Sequence, residues 1–339
     1  MAQTFISQRV SVVIPAYRVR RHILDVIAAI GPAVERVYVV DDCCPEQSGK
    51  FVQARCRDSR VTVLFHERNQ GVGGALVTGY KAALGDGMDI VVKIDGDGQM
   101  DPRLISRFIA PLIEEQADYV KGNRFFALEF LNEMPTMRLF GNAILSFLNK
   151  LVSGYWNVMD PTNGYTAIHR GALSMLPLDK IDRGYFFESD MLFRLNTVRA
   201  VVTEVPMKAK YEGEHSSLRI GRILRDFPAK YGARFFKRIF YNYFLRDFNV
   251  CSVQLVTGLS LVLLGGVFGV YHWYLSSTQG MPASTGTVML AAVPVILGFQ
   301  LLLSALSFDA MNIPKIPLQR LLGKLQQEDS VYGLSGNGG

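Results

Sequence analysis

Short β-branched runs alternate with helix-period segments through the first 220 residues of this 339-residue chain. Apolar clusters at 10–14, 37–40, 61–65 and 90–94 read as strands, and amphipathic stretches at about 21–30, 45–57, 72–84 and 103–116 read as the helices between them. Strand and helix in strict alternation predict an α/β fold built on a doubly wound, mostly parallel sheet. In such sheets ligands bind beyond the carboxyl ends of the strands. Polar punctuation falls at those ends: Pro15-Ala16-Tyr17 after the first strand, Asp41-Asp42 after the second, Asn69 after the third and Asp95-Gly96-Asp97-Gly98-Gln99 after the fourth. Four strands are thus expected to deliver functional groups to one edge.

Further along, the pattern changes. Of 36 Lys+Arg and 30 Asp+Glu, none falls between Cys251 and Phe308. Within that stretch, 253–275 and 287–308 are each about 33 Å long at 1.5 Å per residue, enough to cross roughly 30 Å of hydrocarbon. A buried helical hairpin of a soluble protein would need a large partner surface that the rest of the chain does not offer. The 276–286 connector is uncharged, while basic residues crowd 222–246 and recur at Lys315, Arg320 and Lys324, which predicts a transmembrane hairpin with both flanks in the cytoplasm. The net charge of +6 is concentrated at 222–247, interleaved with Phe227, Tyr231, Phe235, Phe236, Phe240, Tyr241 and Phe244. Beside a membrane span this reads as amphipathic juxtamembrane helices on the lipid bilayer rather than a nucleic-acid grip, and no nucleic-acid partner is expected. The resulting division is 1–220 catalytic, 221–250 juxtamembrane, 251–310 membrane-spanning and 311–339 a cytoplasmic tail. Residues 1–9 lack the apolar run of a signal peptide, so the catalytic part is expected to stay on the cytoplasmic side of a multi-pass membrane protein. The four cysteines, two adjacent at Cys43-Cys44, give neither a disulfide framework nor metal-finger spacing.

The candidate chemistry lies in the acidic turn. Asp95-Gly96-Asp97-Gly98 fails as a calcium loop, because Met100 takes the required glycine position and Ser106 the terminal acidic one. Gly71-Val72-Gly73-Gly74 follows the third strand without the dinucleotide fingerprint and reads as a helix start packed closely on its surroundings. What remains is Asp-x-Asp after a buried strand. Glycines at 96 and 98 let the two carboxylates converge, and oxygen ligands suit a hard divalent cation able to bind a diphosphate. A solvated Asp/Gly turn with no ligand is the alternative reading of this motif alone.

Together, Val12-Val13-Ile14-Pro15-Ala16-Tyr17, Val39-Val40-Asp41-Asp42, Asn69-Gln70-Gly71-Val72-Gly73-Gly74-Ala75 and Asp95-Gly96-Asp97-Gly98-Gln99-Met100-Asp101-Pro102, followed by two spans, resemble the family 2 inverting glycosyltransferases of GT-A fold. Within that family the similarity is to polyprenyl-phosphate glycosyltransferases such as dolichyl-phosphate mannose synthases and undecaprenyl-phosphate transferases. The resemblance implies a UDP- or GDP-sugar donor, a polyprenyl phosphate acceptor and Mg²⁺ or Mn²⁺. It assigns Pro15, Tyr17 and Asp42 to the nucleoside, and Asp95, Asp97 and Gln99 to the metal. Arg124, within Lys121-Gly122-Asn123-Arg124, and Arg138 fall to the acceptor phosphate. Asp160, in Asp160-Pro161-Thr162-Asn163-Gly164-Tyr165, falls near the reacting centre. The loop carrying His215 and Arg219 resembles the one that closes over the diphosphate. Phe187-Glu188-Ser189-Asp190 resembles a second acidic motif, although its two carboxylates also suit the first turn of a helix. Two departures stand out: Arg18-Val19 replaces the usual Asn-Glu, and Cys43-Cys44 replaces a small polar pair.

An acceptor phosphate with its second pKa near 6 is mostly dianionic at neutral pH and needs no strong base. Asp160 is then either a positioning group or a base. A processive polysaccharide synthase would carry more spans and a Gln-x-x-Arg-Trp motif, which neither Trp156 nor Trp273 supplies. A non-catalytic, membrane-anchored sugar-nucleotide scaffold would have no need of an intact Asp95/Asp97/Gln99 set. A two-span hairpin also admits self-association into a homo-oligomer.

Overall fold

All four β-branched runs are strands in the computed structural model, which describes residues 8–126, 136–208 and 220–331: β1 (Val10–Ala16), β2 (Arg36–Asp41), β3 (Val61–Phe65) and β4 (Ile90–Lys93). Val12, Val13, Ile14, Val37, Val39, Val40, Ile90, Val91 and Val92 are fully buried. Burial on both faces is what a parallel sheet sandwiched between helices imposes, and it explains near-continuous apolar runs in place of alternation. Three further strands, β5 (Tyr119–Asn123), β6 (Thr166–His169) and β7 (Val202–Pro206), complete a seven-stranded sheet of order β3-β2-β1-β4-β6-β5-β7. Pairing is parallel except that β6 runs against both neighbours. That one reversal has a positional consequence. Thr166 lies beside Lys93, so the segment entering β6, which carries Asp160 to Tyr165, arrives at the carboxyl end of β4.

The connecting helices are α1 (Ile23–Ala28), α2 (Ser48–Arg55), α3 (Gly71–Gly85) and α4 (Ile105–Ile113). The last starts later than its sequence pattern because the Asp101 carboxylate accepts the Arg103 amide at 3.0 Å and holds Pro102–Leu104 as a 3₁₀ turn. Helices α5 (Thr136–Ser153), α6 (Arg170–Met175) and α7 (Phe187–Thr197) follow.

Two compact units result, one comprising Met1–Phe235 with Pro314–Gly339, the other Phe236–Ile313. In the first, the leading part of α8 (Ile220–Phe240) packs Phe227, Tyr231 and Phe235 against Val152 of α5 and Phe186. Fully buried Asp190 on α7 ties this packing together, bonding Arg194 and Arg234, each at 2.8 Å. Where the sequence reading placed a tail, α11 (Leu318–Val331) is held by the sheet: the buried Asp118 carboxylate accepts the Leu318 and Gln319 amides at 2.9 and 3.3 Å, and the Gln319 side-chain amide donates to Leu112 and Ala117 carbonyls.

The second unit holds α9 (Val250–Gln279) and α10 (Thr285–Met311), with mean hydropathies of 2.0 and 2.2 over their most apolar windows. Both are long and apolar enough to cross a membrane. They run beyond the expected 253–275 and 287–308 because Asn249 and Ser284 cap their N-termini. Their backbones touch at Gly258 and Gly298, where an added Cβ would lie 2.9 and 2.7 Å from the opposite carbonyl. At the end of α10, Asp309 is buried against Arg238 at 2.5 Å and the Tyr243 hydroxyl at 2.7 Å.

Candidate active site

A cavity of about 640 Å³ opens at the carboxyl edge of the sheet in the first unit. Pro15, Tyr17 and Asp42 line it from the first two strands, Asp95 and Asp97 from the turn after β4, and Thr162 and Gly164 from the loop entering β6. Of the ten residues predicted for the site, the structure brings these first five to the wall. Gln99 is not part of the wall; its amide instead donates to the Asp97 carboxylate at 3.0 Å, closing the turn that Gly98 permits at φ +82°. Arg124 and Asp160 are not part of the wall either. Arg219, the 215–219 loop and the Arg138 side chain lie outside the described residues.

Asp42 has a structural occupation that sequence did not show. Its two carboxylate oxygens accept the Gln70 and Gly71 amides, each at 2.7 Å, at the start of α3, and one also contacts His66 Nδ1 at 2.7 Å. A carboxylate there satisfies orphan amides and suits the helix dipole. The same helix start presses on the loop before α7, where a Cβ on Gly73 would lie 2.2 Å from the Asp182 carbonyl. The close-packing reading of this glycine run therefore holds. The two departures from the family pattern also meet each other: the Arg18 amide, at φ 59°, donates to Cys44 Sγ at 3.0 Å. Burial works to raise the Cys44 thiol, but hydrogen bonds from Ser48 and Arg18 outweigh it and leave the thiol below its usual range.

Beneath the acidic turn lies a network that the sequence analysis missed. Lys93, at the end of β4, is buried with its Nζ 3.2 Å from Asp95 and 3.0 Å from Glu188. Lys121 on β5 reaches the other Glu188 oxygen at 3.1 Å and donates to the Asn163 carbonyl. Burial alone would lower Lys93, but Asp95 and Glu188 more than offset it, holding the ammonium charged well above the ordinary lysine range. Glu188 is likewise kept below its usual value because Lys121 and Lys93 overcome its desolvation. Glu188 therefore does more than complement a helix dipole, whereas Asp190 ties α7 to α8. The signal in the sequence was a lysine in each of two strands that are otherwise buried, β4 being apolar apart from it.

Arg124 and Asp160, expected to play separate parts, form one pair. Asp160 is fully buried and takes Arg124 Nε at 2.7 Å, Nη2 at 2.8 Å and the Arg124 amide at 3.1 Å. The Asp160 and Met159 amides are in turn held by Glu204 of β7 at 2.9 and 2.8 Å. Burial leaves Glu204 above its normal carboxyl range despite those amides.

Could the residues present hold a divalent metal? Among the described residues no group of three His, Cys, Asp or Glu converges. Asp95 and Asp97 are both partly exposed in one cavity wall, and two carboxylates supplemented by diphosphate oxygens and water are how Mg²⁺ or Mn²⁺ is ordinarily held in phosphate chemistry. The donor set fits.

An acidic turn facing a cavity at the carboxyl edge of this mixed seven-stranded sheet is the GT-A arrangement of glycosyltransferases. The same fold is found in glucosyl-3-phosphoglycerate synthase from Mycobacterium tuberculosis, solved with Mn²⁺, UDP and glucosyl-3-phosphoglycerate, at a TM-score of 0.51 and 23% identity over 67% of this chain and 80% of that one. Residues 11–176 match glycosyl transferase family 2, and the chain belongs to that family. It is similar to the UDP-N-acetylglucosamine–dolichyl-phosphate N-acetylglucosaminyltransferase of Methanococcus voltae, 30% identical over 65% of this chain and 92% of the relative. It is also similar to the undecaprenyl-phosphate mannosyltransferase of Micrococcus luteus, 31% identical over 59% and 82% of the two chains.

Proposed function

We propose that this glycosyltransferase moves a hexose from a nucleoside-diphosphate sugar to a polyprenyl phosphate at the cytoplasmic face of a membrane, with inversion at the anomeric carbon. The observation that carries the reading is the joining, in one chain, of the Asp95/Asp97 cavity to two helices long and apolar enough to span a bilayer. Relatives that act on dolichyl and undecaprenyl phosphates support the acceptor class. Residues 1–220 form the catalytic part, 221–250 lie at the membrane surface, 251–310 span it and 311–339 return to the cytoplasm. The chain up to Phe235 and the chain from Pro314 belong to one compact unit, which supports placing both on one side of the membrane. The exposed Ile144, Phe147 and Leu148 on α5 give that unit an apolar face of its own for lipid.

Pro15 and Tyr17 border the nucleoside, and Asp42 fixes the wall beside it by holding the start of α3. Asp95 and Asp97 would hold Mg²⁺ or Mn²⁺, which when bound would supply positive charge to the departing nucleoside diphosphate. Arg138 and Arg219 meet the acceptor phosphate and the donor diphosphate. A phosphate monoester attacks already ionised, so no base has to be generated. Asp160 then acts as a positioning group: committed to Arg124 in a bidentate pair behind the wall, it fixes the loop whose Thr162 lines the cavity.

Purified full-length protein, incubated with a panel of UDP- and GDP-sugars and a polyprenyl phosphate, should form a single polyprenyl-phosphate sugar of inverted configuration. Asp97→Ala and excess EDTA should each abolish the product. A product of retained configuration, or undiminished turnover in EDTA, would refute the reading.

A further inference from the structure

Lys93 is an unusual neighbour for a metal ligand. Its ammonium sits 3.2 Å from an oxygen of Asp95, a fixed positive charge where a cation is to be bound. It also has little room to withdraw. Glu188 holds it at 3.0 Å from one side, and Gly164 presses from another so closely that a Cβ there would lie 2.4 Å from Nζ and 2.9 Å from Asp95 Oδ2. Lys121 pins Glu188 in turn and is itself anchored to the Asn163 carbonyl, so four elements of the fold hold the ammonium in place. The Asp95/Asp97 pair with a captive lysine against Asp95 offers a bare divalent cation less than the two carboxylates alone, because one of them is already paired with a buried ammonium. A diphosphate reverses the balance: its negative charge is attracted by both the metal and the ammonium.

We propose that Lys93 is a positioning residue that makes divalent-metal binding conditional on the donor's diphosphate, so that the site takes up metal together with nucleotide and discriminates against the bare ion. This rests on the metal assignment to Asp95 and Asp97 made above. Because linkage is reciprocal, metal and nucleotide should strengthen one another by a factor within the usual range of about 5- to 150-fold.

Mn²⁺ affinity of the detergent-solubilised full-length protein, read by electron paramagnetic resonance with Mn²⁺ alone and with saturating UDP or GDP, tests the idea without recourse to turnover. In the wild type, one of the nucleotides should tighten Mn²⁺ at least about fivefold. In Lys93→Met, Mn²⁺ alone should bind more tightly and the enhancement by nucleotide should fall to less than about a third of the wild-type factor. In Glu188→Gln, Lys93 loses its second acidic partner and bears more fully on Asp95, so Mn²⁺ alone should bind more weakly and the enhancement should rise. The opposite signs separate this role from a general loosening of the site, and the second variant decides the matter if Lys93→Met does not fold. An enhancement unchanged in a folded variant overturns the proposal, as does a wild type that binds Mn²⁺ equally with and without nucleotide. A wild type that binds no Mn²⁺ under any of these conditions refutes the metal assignment itself, and the proposal with it.

Discussion

Individual side chains in this protein are seldom limited to the single part that their motif suggests. Arg124 and Asp160 show it most directly, because two residues assigned separate roles are bonded to each other. Removing Arg124 leaves a buried carboxylate without its charge partner, a loss of about 3–5 kcal/mol in comparable pairs. Arg124→Ala should therefore lower the melting temperature as well as activity. Asp160→Asn, which keeps the shape but turns one acceptor oxygen into a donor and so breaks half of the bidentate pair with Arg124, should retain measurable turnover that still rises as pH passes about 6, where the acceptor phosphate ionises. The double variant should be more stable than Arg124→Ala alone, since no buried charge is then stranded. Thermal denaturation of the three proteins and a pH–rate profile of Asp160→Asn check this; a double variant no more stable than Arg124→Ala, or an Asn variant inactive at every pH, would contradict it.

At the level of elements, α3 links the nucleoside side of the cavity to the loop before α7. Gly73 has no room for a side chain beside the Asp182 carbonyl, and Gly184 and Tyr185 on the same loop line the cavity. Gly73→Ala should cost about 1–3 kcal/mol through overpacking and weaken nucleotide binding by shifting that wall. Calorimetric titration with UDP and GDP should show the loss, and unaltered affinity would mean that the loop moves independently of the helix. Helices and strands were legible where burial imposed a simple period. The four β-branched runs announced β1 to β4, and the uncharged stretch announced α9 and α10. The later strands were not visible in the same way, because β5 contains the buried ions of Lys121 and the polar Asn123, and β6 is four residues long and reversed. The site divides along the same line. Motif spacing placed Asp95, Asp97, Tyr17 and Asp42 at one edge, but the lysines below them depend on which strands are neighbours, a long-range fact that no local pattern encodes.

For the molecule as a whole, the decisive arrangement is that the chain up to Phe235 and the chain from Pro314, which lie on either side of the two apolar helices in sequence, belong to one unit. The hairpin proposed above puts the 280–284 turn across the membrane from residues 314–331. In sealed inverted vesicles of the bacterial inner membrane, a cysteine introduced at Ser284 should be protected from an impermeant maleimide, while one introduced at Lys324 should react. Equal labelling of both positions would rule out the hairpin. The contact that closes this arrangement also constrains how the protein is made. Asp118 immediately precedes β5, yet two of its amide partners, Leu318 and Gln319, lie 200 and 201 residues further along the chain. During synthesis the ribosome must therefore deliver both apolar helices before that buried carboxylate has its full set of amide donors. A chain whose second helix fails to insert and return would leave that acid with the Val201 amide at 2.8 Å but without Leu318 and Gln319, and the catalytic unit would carry in its own stability a record of whether biogenesis had been completed.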